Sequence, residues 1–235
     1  GDNFWNDSKL GSEMEKSLKK FLRHAEVVDK KNTLSSFGKI ITDIGAKSQT
    51  SWALMLCNLV YTAQFNWWVK NIDFNHLYSQ AELDEMLKDN LTANSRKNVI
   101  SGFKNTFCTN PILSEEIGFG IVSTIEKGGN IYLEDAKRSP WQSPDPRVIL
   151  YSLYKFAEKC GGLYQFSLST LLDDSIERDG VSPTRIFGLD YDTMVPILNG
   201  LSVNYPDFIS ASFSLGLDTI SLREDKSSQD VLTIF

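Results

Sequence analysis

The amino-acid sequence predicts a mainly α-helical fold with small β-hairpins. Apolar residues recur at helical spacing along most of the 235-residue chain, which indicates amphipathic helices. Short runs of strand-forming residues are joined by glycine turns, which indicates hairpins. A helix followed by a hairpin occurs three times, although the sequence itself contains no periodic repeat. These observations together predict tandem winged-helix-like units around a central apolar helix.

The first unit is predicted to cover residues 1–47. Its helix, near 10–23, has an apolar face and a basic face. The apolar residues are Leu10, Met14, Leu18, Phe21 and Leu22. A short extended run at 25–29 and a polar turn at 30–32 follow, and the run FGKII then enters a second helix. This succession of elements is typical of a winged helix-turn-helix.

The second unit, residues 48–139, is predicted to contain a helix that is apolar on nearly every side and therefore lies at the centre. Ser79 and Glu82 have the spacing of a capping box, which predicts the start of a short helix. Gly128 and Gly129 supply the positive φ angles of a tight hairpin turn. The predicted elements are helices near 50–70, 80–89 and 95–108 and a hairpin near 117–134.

The third unit, residues 140–235, is predicted to follow a stiff, proline-containing connector. Asp145 caps its first helix, with Pro146 at the first helical position. Pro196 lies inside a later helix or kinks it. The predicted elements are helices near 146–159, 167–176 and 191–201, a hairpin near 208–222 and a terminal helix from Ser227. The alternative to three units is one compact domain.

The composition is that of an ordinary globular protein. Apolar residues make up 41% of the chain and aromatic residues 11%, which argues against disorder and collagen-like structure. The net charge of −6 argues against a uniformly basic nucleic-acid coat, while a local basic face stays open. The longest apolar stretch, 52–69, is interrupted by polar residues, so we expect a buried helix and no membrane partner.

The cysteines and the first residues of the chain indicate the cellular compartment and the extent of the protein. Cys57, Cys108 and Cys160 are an odd number and contain no CxxC pair, so neither a disulfide framework nor a zinc ribbon is indicated. With no signal peptide visible, the sequence predicts a cytoplasmic protein. Because the chain begins with Gly rather than Met, we expect a fragment of a larger protein.

Charge is segregated along the chain. Residues 16–23 carry four cations and no acid, residues 94–109 carry three cations and no acid, and residues 169–193 hold six acids against two arginines. If the two basic helices share a face, that face could contact DNA phosphates and release their counterions. The predicted nucleic-acid-binding residues are Lys16, Lys19, Lys20, Arg23, Arg96, Lys97 and Lys104. The alternative is that both helices simply present solvated faces.

The sequence offers little support for catalysis. His24 and His76 have no second histidine or carboxylate at ligand spacing. Asp173 and Asp174 could bind a divalent cation, but adjacent residues of a helix point about 100° apart. No phosphate-binding glycine motif is present. We therefore predict no catalytic residue, no metal site and no cofactor in this chain.

Five runs are spread over most of the chain: KLGSEMEKSLKKFLRHAEVVD (9–29), LSSFGKII (34–41), SWALMLCNLVYTAQFNWWV (51–69), ELDEML (82–87) and RIFGLDYDTMVPILNGL (185–201). Together they resemble the bacterial domain of unknown function 4007 family. Members of this family sit beside, or are joined to, phosphoadenosine-phosphosulfate (PAPS) reductase-like proteins in bacterial DNA phosphorothioation and phage-defence operons. The resemblance implies a pathway rather than an activity. The DNA nicking associated with some relatives is not transferred, because no metal-binding carboxylate cluster or nucleophile stands out here.

The sequence and the resemblance together predict a non-catalytic DNA-recognition module of a PAPS reductase-like or DNA sulfur-modification protein. Its partners would be DNA and other subunits or domains of that complex. One alternative is a protein-interaction scaffold within the complex, using the acidic region at 169–193 or exposed aromatic residues. A further alternative is a DNA-nicking domain.

Overall fold

A computed structural model describes residues 11–214 and 217–235 of the chain. As the sequence predicts, this part is mainly helical and carries small antiparallel sheets. The α-helices are α1 (Ser12–His24), α2 (Ser36–Ile44), α3 (Gln49–Leu59), α4 (Ala63–Asn71), α5 (Gln80–Met86), α6 (Ala93–Cys108), α7 (Pro146–Lys159), α8 (Leu168–Leu172), α9 (Pro183–Phe187), α10 (Tyr191–Asn204) and α11 (Ser228–Val231). The strands are β1 (Tyr78–Ser79), β2 (Ile121–Lys127), β3 (Asn130–Lys137), β4 (Gln165–Phe166), β5 (Ile209–Ser214) and β6 (Leu217–Leu222).

The N-terminal part contains α1 and α2. Leu10, where the first helix is predicted to begin, lies outside the described residues. The extended run predicted between the two helices forms a single antiparallel bridge between Val28 and Leu34 rather than a strand pair. Gly38 allows α2 to pack on this connection, because a Cβ atom at this position would lie 2.1 Å from the carbonyl oxygen of Val27.

The prediction of one continuous central helix near 50–70 is wrong, because α3 and α4 are separate helices with a break at residues 60–62. Polar side chains satisfy the backbone at the break. The Thr62 hydroxyl donates to the carbonyl of Leu59 at 2.7 Å, and the Asn66 amide donates to the carbonyl of Val60 at 3.0 Å. The predicted central burial is confirmed, since nearly every residue of α3 is buried.

The first sheet has the strand order β1-β3-β2, and every pairing in it is antiparallel. The predicted capping box is confirmed, because the Ser79 hydroxyl accepts from the Glu82 N–H and the Glu82 carboxylate accepts from the Ser79 N–H at 2.8 Å. The predicted hairpin is confirmed as well. It turns through Gly128 and Gly129, whose φ angles are +59° and +76°.

This hairpin begins at Ile121, four residues later than the predicted strand start at Ile117. The preceding residues form a π-helical turn at Ile112–Glu116 and then pack against α6. A Cβ atom at Gly120 would lie 2.4 Å from the ring of Phe107, so the chain approaches that ring closely here. Residues 117–120, which the sequence pattern assigns to the strand, therefore pack against α6 and do not join the hairpin.

The second sheet has the strand order β4-β6-β5, again antiparallel throughout. Asp145 caps α7, as predicted. Asp190 caps α10, and Pro196 lies inside that helix. The helix predicted at 167–176 ends earlier, at Leu172. It ends there because the Asp173 carboxylate accepts from the Ser175 N–H at 2.9 Å and starts a turn.

The two sheets belong to two segments with the same succession of elements. Residues 63–137 and residues 146–222 each contain a helix, a two-residue strand, a short helix after a serine cap, a long helix and a hairpin. The second segment also contains α9. In both segments the two-residue strand pairs with the later strand of the hairpin. We call these segments unit A (63–137) and unit B (146–222).

One hydrophobic cluster connects all parts of the described chain. It includes Ala25 after α1, Trp68 in α4 and Leu232 near the C-terminus. Trp68 is fully buried, and its indole N–H donates to the carbonyl of Phe119 at 2.8 Å. The unit boundaries predicted at 47/48 and 139/140 stay predictions. No helix in the described ranges has both the length and the apolarity to cross a bilayer.

Candidate nucleic-acid interface

The four predicted cations of α1 are largely held by neighbouring side chains. Lys16 forms an ion pair with Glu13 at 2.7 Å, and Lys19 forms one with Glu15. The Arg23 guanidinium donates to the Asn32 side chain at 3.0 Å. Lys20 is exposed and has no described hydrogen bond or ion pair. The positive field of α1 is therefore weaker than its cation count suggests, because two glutamates lie one turn earlier.

Of the three predicted cations of α6, two are used inside unit A. The Arg96 side chain is only 15% exposed and pairs with Asp84 of α5 at 2.9 Å. This hydrogen bond lowers the pKa of Asp84 and raises that of Arg96. The Lys104 ammonium donates to the carbonyl of Ile131 in β3 at 2.6 Å. Arg96 and Lys104 thus join α6 to its neighbours, while Lys97 is exposed and makes no described bond.

The two basic helices have different neighbours. Phe21 of α1 packs on Trp52 of α3, with ring centroids 6.2 Å apart. Phe103 of α6 packs on Trp67 and Trp68 of α4. Across the described residues, no hydrogen bond, ion pair or ring contact joins α1 to α6. That the seven predicted cations form one surface stays a prediction.

The outward face of α6 carries polar side chains without any acid. Successive residues of a helix are rotated by about 100°, so residues three, four, seven and eleven apart share a face. The exposed residues on one arc of α6 are Asn94, Lys97, Asn98, Ser101 and Asn105. On the opposite arc, Ile100, Phe103 and Phe107 are buried. We call the five exposed residues the α6 face.

Helix stability does not account for the composition of the α6 face. In a helix interior Asn and Ser cost up to about 0.7 kcal/mol each relative to Ala, and Gly costs about 1 kcal/mol. Gly102 is exposed beside this face, and an added Cβ atom would meet no other atom within 4 Å. No described hydrogen bond engages the side-chain amides of Asn94, Asn98 or Asn105. These amides are therefore available to a partner.

Sequence reasoning from charge missed these asparagines, because it followed only lysine and arginine. A signal was present in the sequence. Asn94, Asn98 and Asn105 are spaced by four and seven residues, which places them on one side of a helix. The same spacing places Ile100, Phe103 and Phe107 on the other side. The spacing of the asparagines therefore predicts a polar helix face independently of charge.

Helix α10 is the long helix before the hairpin in unit B, as α6 is in unit A. Its outward positions carry no amides equivalent to those of the three asparagines. Its cap Asp190 accepts from the Thr193 N–H, as the α6 cap Thr92 accepts from the Ser95 N–H. The tenth residue of each helix is glycine, Gly200 and Gly102. Buried side chains also recur at the eighth and eleventh positions of both helices.

The outward residues of α10 have a different chemistry. The α10 residues equivalent to Asn94, Lys97, Asn98 and Asn105 are Asp192, Val195, Pro196 and Val203. The side chain of Val203 is 78% exposed and that of Tyr191 is 44% exposed. Residues 186–222, which include α10 and the second hairpin, contain four aspartates and no lysine or arginine. Only α6 therefore combines this position with a face free of acids.

The acidic region is organised by arginines. Arg185 pairs with Asp174 at 3.1 Å and with Asp73 at 3.4 Å. Arg178 donates to the carbonyls of Thr170 and Asp173. A cavity of about 270 Å³ lies against this region. In the ranges 11–214 and 217–235, no group of three or more His, Cys, Asp and Glu side chains could hold a metal ion.

Comparisons with known proteins assign no family to the chain. No protein-family model matches it, and neither a curated protein nor a solved structure matches it significantly.

Proposed function

We propose that this chain is a non-catalytic DNA-recognition module in which unit A and unit B are winged helices. The order of elements supports the proposal, because each unit contains a helix, a short strand, two or more further helices and a terminal hairpin. The pairing of the short strand with the last strand of the hairpin supports it as well. In a helix-turn-helix protein, the second helix of the motif enters the major groove of DNA. In unit A that helix is α6.

The acid-free, exposed α6 face is the observation that carries the proposal. DNA repels carboxylates and attracts cations because each phosphate bears a negative charge. Lys97 lies on this face, and Lys127 is exposed at the turn of the adjoining hairpin. Asn and Ser side chains can bond to phosphates or to base edges. Unit B has acids and apolar groups at the equivalent helix positions, so unit A is the one of the two units that is compatible with DNA.

The resemblance described for the sequence supplies the setting of this proposal. The chain would be an accessory module that brings a PAPS reductase-like or DNA sulfur-modification enzyme to DNA. In that setting the partner subunits supply the chemistry, and this chain supplies the contact. This cellular setting is supported by the five sequence runs between residues 9 and 201 that resemble the family.

Salt-dependent binding tests the proposed function. Fluorescence anisotropy with a labelled duplex should show micromolar-range binding at physiological salt, comparable to the roughly 10⁻⁴ to 10⁻⁶ M of sequence-independent contacts. The double variant Lys97→Gln/Lys127→Gln should bind more weakly, and its slope of log K against log salt should fall by up to about one for each phosphate that the variant no longer neutralises. Lys226→Gln, which changes a lysine that follows the second hairpin, is the matched control and should bind as the unchanged protein does.

The contribution of α1 is tested in the same assay. Lys19→Gln/Lys20→Gln/Arg23→Gln should lower both affinity and salt slope if α1 contacts phosphates alongside α6. Circular dichroism checks that each variant folds. Absence of binding at about 50 mM salt by the folded, unchanged protein would contradict the DNA-binding function.

A second candidate function, a protein-interaction scaffold, is favoured by the surface of unit B. The cation-free stretch 186–222 and the exposed Val203 and Tyr191 suit a protein contact better than a phosphate backbone. A scaffold would show no DNA binding at low salt. It would instead lose capture of its partner subunit when the exposed Tyr191, Asp192 and Val203 of this surface are changed to Ala.

A further inference from the structure

We infer that the α6 face reads base edges in the major groove of duplex DNA and favours A·T pairs through the amides of Asn94, Asn98 and Asn105. This inference rests on the proposed DNA-binding function and adds to it the sequence preference and the residues that produce it. An asparagine amide offers one donor group and one acceptor oxygen side by side. That pair matches N7 and N6 of adenine in the major groove, where a bidentate contact discriminates against other bases.

The placement of the three amides fits a groove. Asn94 and Asn105 are eleven residues apart, so they extend over about 16 Å of helix, and the major groove admits an α-helix. All three residues are exposed on the arc opposite the buried Ile100 and Phe103. None of the amides has a described internal partner to give up on binding.

The surroundings of α6 hold it rigidly for such a role. Arg96 anchors its first turns to α5 through Asp84, and Lys104 anchors its later turns to β3 through the carbonyl of Ile131. A reading helix must be positioned by contacts that do not involve the bases, because base contacts are sensitive to small displacements. Two of the predicted cations of α6 therefore position the helix, and Lys97 is left for phosphate.

Paired duplexes that differ only in their central base pairs test the inference. At one fixed salt concentration, the unchanged protein should bind an A·T core at least about fivefold more tightly than a G·C core, a ratio equivalent to one bidentate contact. Replacing the core adenines with 7-deazaadenine, which lacks the N7 acceptor, should remove most of that advantage. The variant Asn94→Ala/Asn98→Ala/Asn105→Ala should bind both cores equally and keep the salt slope of the unchanged protein. Asn199→Ala, on the exposed side of α10, is the matched control and should keep the preference.

A glycine pair provides a test that misfolding cannot mimic. Gly102→Ala and Gly200→Ala each add one methyl group in the tenth position of a helix, where no atom lies within 4 Å. Both should raise the melting temperature, because alanine favours helix. Only Gly102→Ala should lower affinity for the A·T duplex, by several-fold, because its methyl group would meet the DNA.

The outcomes separate the inference from the proposed function. Salt-dependent binding without base preference, or a preference that survives the triple asparagine variant, overturns the inference and leaves DNA binding in place. Tighter binding to single-stranded DNA or to RNA than to duplex DNA overturns the inference as well. Absence of all DNA binding overturns both.

Discussion

At the scale of single residues, the Arg138 side chain joins unit A to unit B. It is fully buried, and its guanidinium donates to the carbonyls of Val69, Ile72, Arg185 and Ile186 at 2.7–3.3 Å. It also lies 4.1 Å from the ring centroid of Phe74. One side chain thus connects α4, the end of β3 and α9.

Replacing Arg138 should destabilise the protein strongly. Arg138→Met keeps much of the side-chain volume but removes the guanidinium donor from the carbonyls of Ile72, Arg185 and Ile186, and each unsatisfied buried group costs about 1–3 kcal/mol. The carbonyl of Val69 keeps Arg185 as a donor. We expect the free energy of unfolding to fall by at least about 3 kcal/mol in urea denaturation. Lys39→Met, on the exposed side of α2, should change it by less than about 0.5 kcal/mol. A decrease below about 1 kcal/mol for Arg138→Met would show that water replaces the guanidinium.

At the scale of elements, the contact between α5 and α6 positions the α6 face. Asp84 is the carboxylate partner of Arg96, and the Arg96 hydrogen bond lowers the pKa of Asp84 in the folded protein. The Arg96 guanidinium also donates to the carbonyl of Leu91 at 3.1 Å, so it holds the connection between the two helices. The orientation of α6 therefore depends on an ion pair whose strength depends on pH.

Asp84→Asn should lower the melting temperature at pH 7 by weakening this contact. Because the folded-state pKa of Asp84 is depressed, its contribution is present above the unfolded value near 3.8 and is lost as pH falls through the folded value. The difference in melting temperature between the unchanged protein and Asp84→Asn should therefore shrink below about pH 4. In the background of Arg96→Gln, Asp84→Asn should have little further effect. A difference that stays constant from pH 7 to pH 3 would contradict the role of the carboxylate.

At the scale of the whole molecule, two similar units with different surfaces suggest a division of labour. Unit A presents amides and a lysine on α6, while unit B presents acids and apolar groups on α10. A DNA contact on unit A and a protein contact on unit B can then coexist on one chain, which is compatible with the proposed function. The third interpretation of the sequence, a nicking domain, needs a metal or a nucleophile in addition to these surfaces.

We expect the isolated chain to leave supercoiled plasmid intact in the presence of Mg²⁺ or Mn²⁺. The acidic side chains nearest to a metal-binding arrangement in sequence are Asp173 and Asp174. Their geometry is unsuited to the task, because Asp173 bonds to the Ser175 backbone and Asp174 pairs with Arg185. Gel electrophoresis measures the outcome. Metal-dependent nicking that disappears in Asp173→Ala/Asp174→Ala would contradict this expectation and favour the nuclease function.

Features of this protein that depend on neighbouring residues could be predicted from the sequence. The caps at Ser79, Asp145 and Asp190, the glycine turn of the first hairpin and the burial of α3 follow from side chains a few positions apart. Periodicity also located α6 and its apolar face, whereas attention to charge missed the asparagines of the polar face.

Features whose partners are distant in the chain could not be predicted, because they depend on how the chain folds. The two-residue strands β1 and β4 are too short to show a period, and each exists because a later hairpin offers it hydrogen bonds. Arg96 looks like a free cation until α5 brings Asp84 beside it, and Arg138 looks like a surface residue until α4 and α9 surround it. Periodicity shows which face of a helix or strand is apolar. The hydrogen-bond partners of a polar group, in contrast, depend on which distant residues the folded chain brings beside it.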